Sequence, residues 1–326
     1  MRAVRCHVFG PPESLVVEDG VLPPVPTDDE VLIDVHACAV NFPDVLMIQD
    51  LYQFKPPLPF TPGGEVAGVV AAVGAQVSGI AVGDAVFASA TIGGMAEQVA
   101  VPARSVIAIP AGVDFVHASA FLYAYGTSQH ALVDRARLQP GETLLVLGAA
   151  GGVGLAAVEI GALLGARVIA AASSAEKLEL CRRHGAAETI DYTSEDLRAR
   201  LRDLTDGQGV DVVYDPVGGP YSEPALRSIA WDGRFLVVGF AAGEIPKLPM
   251  NLPLLKNCSV VGVFWGAFTA RHPDRHSRNI VELVEWWRSG RLQPHVSSVH
   301  PLERAAEAIA ELADRRAQGK VVVTVR

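Results

Sequence analysis

Residues 149–154, Ala-Ala-Gly-Gly-Val-Gly, are of a kind that can hold a pyrophosphate. They follow the apolar run "TLLVLG" and lead into the helical pattern "LAAVEIGALLGA". In such a strand-turn-helix unit Gly151 and Gly152 let backbone amides approach phosphate oxygens, whose charge is favoured at a helix N-terminus, and Gly154 lets the helix pack closely on the strand. Ala150, Gly151, Gly152, Val153 and Gly154 are therefore expected to line a dinucleotide. The usual pattern begins with glycine, whereas Ala149 stands first here, so the assignment rests on the strand before it, the helix after it and a second strand at the right interval. A purely structural glycine turn is the alternative.

The second strand, in "ARVIAAASSAEK", bears on which dinucleotide is held. An acid about 20 residues beyond the turn would bind a ribose 2'-hydroxyl, but that position is Ala172. Ser173, Ser174 and Lys177 follow, offering hydroxyls and a cation that suit a 2'-phosphate, with no carboxylate to repel it. NADPH is the expected cofactor, with an exposed helical lysine as the alternative reading of Lys177. Tyr192, ending "ETIDY", either reaches the same pocket or is packing.

These residues need a scaffold. From residue 117 onward strand and helix patterns alternate, and the strands "TLLVLG", "ARVIAA", "ETIDY", "VDVVYDP", "GRFLVVG" and "CSVVGVFW" are nearly continuous in apolar character. That marks a doubly wound parallel sheet buried on both faces. Before it, short apolar runs broken by turns and two proline-dense loops, "LPPVPTDDE" and "KPPLPFTPGG", read as a compact β-rich domain. After "VFWGAF" come two amphipathic helices and a lone strand, "KVVVTV", which needs a sheet to join and is returned to the first domain. The expected division is α/β: 1–120 and 267–326 β-rich, 121–266 dinucleotide-binding, with a cleft between them.

Composition narrows the function classes. A chain of 326 residues, half of them hydrophobic, can bury a large core. Its net charge of -9 disfavours nucleic acid and acidic membrane as partners. No apolar run is long enough to span a bilayer, and "MRAVRCHVFG" carries no signal-peptide core, so a cytoplasmic location is expected. Cys6, Cys38, Cys181 and Cys258 lie far apart, arguing against disulfides and a structural zinc site. His272, His276, His295 and His300 sit in polar surroundings and read as solvated surface.

Along nearly its whole length the chain resembles the medium-chain dehydrogenase/reductase superfamily, in its zinc-independent quinone oxidoreductase (zeta-crystallin-like) branch. The stretches that carry this include "NFPDVLMIQDLYQFKPPLPFTPGGEVAGVV", "GDAVFA", "LQPGETLLVLGAAGGVGLAAVEIGALLGARVIAAASSAEKLELCRRHGA", "DVVYDPVGG" and "GKVVVTV". The resemblance implies a GroES-like catalytic domain split around a Rossmann domain. It places Asn41 and Gly64 where zinc-dependent members carry a cysteine and a histidine, and an amide and a missing side chain cannot complete a zinc ligand set. It also implies that Asn41, Asp44 and Tyr52 act on the substrate, Tyr52 donating to its oxygen and the other two orienting it. Other roles are open: Asn41 holding the turn before Pro43, Asp44 capping the helix after it, Tyr52 packing. Thr127 matches a threonine near the nicotinamide. Val217, Phe240, Ala241, Phe264 and Trp265, following three successive strands at their carboxyl ends, are nicotinamide neighbours or packing.

Without a metal to stabilise an alkoxide, alcohol oxidation is disfavoured, and reduction of a conjugated acceptor is easier because its charge spreads onto oxygen. The expected activity is metal-free, NADPH-dependent hydride transfer to a quinone or an α,β-unsaturated carbonyl compound. Alternatives are reduction of an enoyl thioester or acrylate, and, in another class, an NADPH-binding structural or regulatory protein. The resemblance further implies a homodimer formed through the edge strand in "CSVVGVFWGAF".

Overall fold

The run "EVLIDVHACAV" forms a single strand, Glu30–Val40, at the centre of a seven-stranded sheet in the computed structural model, which describes residues 1–326. Its first half alternates: Val31, Ile33 and Val35 are buried, while Leu32, Asp34 and His36 are half-buried. From Ala37 to Val40 every residue is buried, because helix Phe115–Ser119 supplies a second apolar layer over Ala37 and Ala39. One edge of this strand pairs antiparallel with Glu65–Val73. Its other edge is shared: Gln98–Pro102 pairs with its beginning, and Lys320–Thr324 with its end. Since Val321 lies opposite Val40 in an antiparallel register, Lys320 is set beside Asn41, although 279 positions separate them.

The chain divides into two units, Met1–Tyr123 with Pro294–Arg326, and Ala124–Gln293. The second holds a six-stranded parallel sheet. Its spatial order is Glu188–Asp191, Arg167–Ala172, Thr143–Leu147, Val210–Asp215, Ile229–Val237 and Ser259–Gly262. In chain order this is 3-2-1-4-5-6, the doubly wound arrangement, with the direction of winding reversing between Thr143–Leu147 and Val210–Asp215. The glycine turn leaves the first of these two strands at its carboxyl end.

The expected return to the β-rich unit at residue 267 is corrected to Pro294. Helix Pro273–Arg288 stays with the parallel-sheet unit through polar contacts to the buried Gln129 and Asp134 side chains as well as apolar ones. Asp134 accepts from Asn279 Nδ2 at 2.9 Å and pairs with Arg275 at 2.6 Å, and Gln129 Nε2 donates to Glu282 at 2.7 Å. Ile280, Leu283, Trp286 and Trp287 are the buried stripe of the same helix. No helix is long and apolar enough to cross a membrane.

Candidate active site

In the β-rich unit a short helix, Phe42–Met47, follows the central strand and brings its polar start under the loop 61–65. Asp44 is 1% exposed; its carboxylate accepts from the Asn41 backbone N–H at 2.8 Å and from the Gly63 N–H at 3.0 Å. It therefore ties the helix start to the glycine loop. Burial pushes its carboxyl up to about 6, against the opposing pull of those two N–H groups and of Lys320.

The Asn41 side chain faces inward. Its Nδ2 donates to Glu65 at 3.0 Å and to the Ala39 carbonyl at 3.4 Å, and its Oδ1 accepts from Lys320 Nζ at 2.5 Å. Glu65 is fully buried and accepts additionally from Lys320 Nζ at 3.1 Å and from the Tyr123 backbone N–H at 3.0 Å. Asn41, Glu65 and Lys320 are thus one closed network, in which the ammonium balances the carboxylate and the amide bridges them. Tyr52 is half-buried against the same core, its phenol pushed up by burial and then by the Asp44 charge.

In the parallel-sheet unit Gly148 takes a φ of +57, and the helix Gly152–Leu163 starts from Gly151 as its N-cap. A Cβ on Gly154 would sit 2.3 Å from the Gly148 carbonyl oxygen, so glycine is required for the helix to approach the turn. Gly151 is under no such constraint, a Cβ there meeting only the Gly148 carbonyl oxygen at 3.4 Å. Ala149, where glycine is usual, is fully buried and donates its N–H to Ala171 on the adjacent strand at 3.0 Å. Ala150 is buried, while Gly151, Gly152 and Val153 are half-buried around the helix N-terminus. This arrangement fits a pyrophosphate: amides at a helix N-terminus, beside backbone that only glycine allows.

Beyond Ala172, Ser174 caps the helix Ala175–Arg183 by accepting from the Lys177 N–H at 3.3 Å, and Lys177 Nζ reaches Ser173 Oγ at 3.4 Å. The three residues expected to meet a 2'-phosphate are therefore together. Tyr192, next to the end of the neighbouring strand, packs on Tyr221 with ring centres 4.2 Å apart. Val217, Phe240 and Ala241 also gather at the carboxyl edge. Asp215 organises them, accepting from the N–H groups of Val217 and Gly218 and from the Ser222 hydroxyl, and the loop from 238 closes on it through Ala241 N–H to Pro216 O at 3.0 Å. Thr127 is half-buried on helix Leu122–Gln129, next to Ser128, which is hydrogen-bonded to Val153 O at 2.8 Å and to the Tyr214 hydroxyl at 2.9 Å.

Trp265 and Phe264 are placed differently from these. Trp265 is buried with its indole against Gly126 and edge-on to His276, whereas Phe264 is 56% exposed. Four residues that sequence reasoning did not single out are hydrogen-bonded into these groups: Glu65, Lys320, Tyr123 and Ser128. The signal for the first two was present, since each is a charged residue at the head of an otherwise apolar strand. Nothing local in the sequence pairs them.

Comparison with known proteins gives the same outline. Residues 27–111 match the family model "Alcohol dehydrogenase GroES-like domain", and residues 152–285 match "Zinc-binding dehydrogenase". The chain is 40% identical to a quinone oxidoreductase-like protein 2 homolog of Nematostella vectensis, over 100% of this chain and 89% of the relative. It superposes on the Escherichia coli quinone oxidoreductase complexed with NADPH with a TM-score of 0.92, at 28% identity and full coverage of both chains. It superposes on the CurK enoyl reductase with a TM-score of 0.91, at 27% identity, covering 100% of this chain and 99% of that one. The zinc in the second family model's description does not fit the residues present. Asn41 is engaged by an ammonium and a carboxylate, and a side chain at Gly64 would begin 2.7 Å from the Tyr123 hydroxyl. Cys38 Sγ is packed among glycines, where a Cβ on Gly63 would meet it at 2.6 Å. The fold, both family models and full-length relatives at this identity agree: the chain belongs to the medium-chain dehydrogenase/reductase superfamily, among its quinone oxidoreductase-like members, and is an oxidoreductase.

Proposed function

We propose that this protein is an NADPH-dependent reductase of quinones or α,β-unsaturated carbonyl compounds that works without a metal. The observation that carries the reading is the closed Asn41–Glu65–Lys320 network: the fixed cation of the catalytic unit is an ammonium already paired with a buried carboxylate. With the Asn41 amide and the Glu65 carboxylate both taken up by that ammonium, these positions supply no ligand set for a Lewis acid, and the donor left for a substrate is the neutral Tyr52 phenol. Neutral donors suffice when the developing charge is delocalised onto a conjugated oxygen, and fall short for a localised alkoxide.

The glycine turn would hold the pyrophosphate, and Ser173, Ser174 and Lys177 the 2'-phosphate, with Tyr192 beside them. Val217, Phe240, Ala241 and Thr127 would border the nicotinamide. When bound, NADPH supplies a hydride. Tyr52 donates to the acceptor oxygen as charge builds there. Asp44 sets the loop that faces it, and Asn41, with its amide engaged inward, fixes the start of helix Phe42–Met47 more than it touches substrate. That role keeps the turn-holding reading of Asn41 and the capping reading of Asp44 alongside a catalytic one.

The likeness to an enoyl reductase supports a second reading, in which the conjugated acceptor is an enoyl thioester. NADPH consumption with naphthoquinones, enones and enoyl-CoA thioesters, with and without chelator, separates the two. Highest kcat/KM on free quinones or enones supports the first; preference for the thioester supports the second; abolition by chelator removes both.

The same reading includes a homodimer. Strand Ser259–Gly262 is an unpaired sheet edge, and Trp231, Met250, Leu254, Val260 and Phe264 are all exposed nearby in sequence or on the adjoining strand. Sedimentation equilibrium showing only the 34.4 kDa monomer would remove it.

A further inference from the structure

We propose a second ligand site in the parallel-sheet unit, for a small anion carrying two or more phosphate groups. It is a cavity of about 500 Å³ bordered by helix Leu197–Leu204 and by the ends of helices Ser222–Arg227 and Asn251–Lys256. That volume is in the range of small-molecule pockets.

Four cations line the cavity, Arg198, Arg202, Arg227 and Lys256, against one acid, Asp196. The chain as a whole carries a net charge of -9, so this gathering runs against its average surface. Asp196 is already committed, capping its helix by accepting from the Ala199 N–H at 2.7 Å. Arg227 pairs with Glu223 at 2.7 Å, and Arg202 has a 3.6 Å contact with its exposed neighbour Asp203. Arg198 and Lys256 enter no salt bridge, although Arg198 is exposed on the same helix as Arg202.

Helix stability accounts for three of the four. Arg202, Arg227 and Lys256 lie in the last turns of their helices, where a cation is favoured. Arg198 has the opposite placement. It stands in the first turn of helix Leu197–Leu204, where positive charge is disfavoured, and forms a like-charge i,i+4 pair with Arg202. A bound anion turns that repulsion into shared attraction, and guanidinium forks match phosphate oxygens in paired hydrogen bonds.

The floor of the cavity is fixed. Gly209 has a φ of +87, a Cβ there would stand 2.6 Å from the Ser228 carbonyl oxygen, and its N–H donates to Thr205 Oγ1 at 3.1 Å. The Val210 N–H donates to the same Ser228 carbonyl at 3.0 Å. Strands Val210–Asp215 and Ile229–Val237 start from this floor and run parallel to Thr143–Leu147, whose far end carries the glycine turn. The floor therefore lies at the opposite edge of the sheet from the pyrophosphate residues, and the two ligands can be held together.

Titration calorimetry of NADPH-saturated protein with inorganic tripolyphosphate tests the proposal, the cofactor keeping the probe off the glycine turn. Wild type is expected to bind it. R198A and K256A should each weaken binding by roughly ten- to hundredfold, the scale of one charge-assisted hydrogen bond, with the NADPH Kd unchanged. R198E separates ligand binding from folding: it brings an acid to the helix start and a partner to Arg202, so it should melt at or slightly above wild type and yet bind no tripolyphosphate. ATP in place of tripolyphosphate distinguishes the sources, since tighter binding of ATP assigns the cavity to a nucleotide and equal or weaker binding to a free polyphosphate. Four results would overturn the proposal: no binding by wild type, binding unchanged in R198A and K256A, R198E melting well below wild type, or sulfate at equal ionic strength binding as tightly as tripolyphosphate. None of them bears on the reductase reading.

Discussion

Replacing Lys320 with methionine removes the only side-chain cation of the buried network and leaves the rest in place. Lys320 and Glu65 have side-chain exposures of 7% and 0%, so water cannot take over the lost contact. Glu65 keeps the N–H donors of Asn41 and Tyr123 but loses its counter-charge, and Asn41 Oδ1 loses its donor. Breaking a buried pair by deleting one partner costs about 3–5 kcal/mol, most of it the penalty of the charge left behind. For a unit of this size each kcal/mol lowers Tm by roughly 2–4 °C, so K320M should melt about 6–20 °C below wild type. Calorimetry or urea unfolding of K320M, E65Q and the K320M/E65Q double variant closes a double-mutant cycle. The double variant, which carries no orphaned charge, should recover much of the loss. If K320M melts within 2 °C of wild type, by the roughly 2–4 °C per kcal/mol scaling, or if the two losses simply add, the network is not coupled and the account of Asn41 is wrong.

Three further outcomes follow from the geometry. K177A removes a charged donor to a 2'-phosphate, a bond worth about 1.5–3 kcal/mol, so NADPH affinity should fall by roughly ten- to hundredfold with NADH affinity little changed; calorimetric titration with both nucleotides checks this, and equal losses would count against the pocket. G154A places a Cβ 2.3 Å from a carbonyl oxygen and should cost about 1–3 kcal/mol together with NADPH binding, read by thermal melts with and without nucleotide. Asp44 has a folded-state pKa raised to about 6 from 3.8, so the folded state holds more protons than the unfolded one between those values. Its contribution to stability therefore falls as pH rises from about 4 to about 6, by on the order of 3 kcal/mol, and is flat above; melting curves across that range should lose this component in D44N, and an unchanged profile would refute it.

The nucleotide half of the molecule was the more legible in the sequence, and the reason is locality. A glycine turn between a strand and a helix is specified within a dozen residues, and the strand rhythm after it fixes a parallel sheet. Ser173, Ser174 and Lys177 lie within one helical turn of each other, so their convergence needs no tertiary information. The catalytic half depends on register between distant strands. Glu65 and Lys320 meet across 255 positions because both pair with the strand that ends at Val40, and no local pattern encodes that meeting. The same limit explains the misplaced return point: the amphipathicity of helix Pro273–Arg288 shows that it covers a core, but Asp134 and Gln129 decide which core it covers.

Hydride transfer itself gives the most direct test of the central claim. Purified protein, treated with chelator, would be given NADPH deuterated at its transferable position and 2-cyclohexenone, and the product examined by mass spectrometry and NMR. The account expects turnover to survive chelation and cyclohexanone to carry one deuterium at its β-carbon. Product without deuterium, or turnover that stops with chelation and returns with zinc, would contradict it.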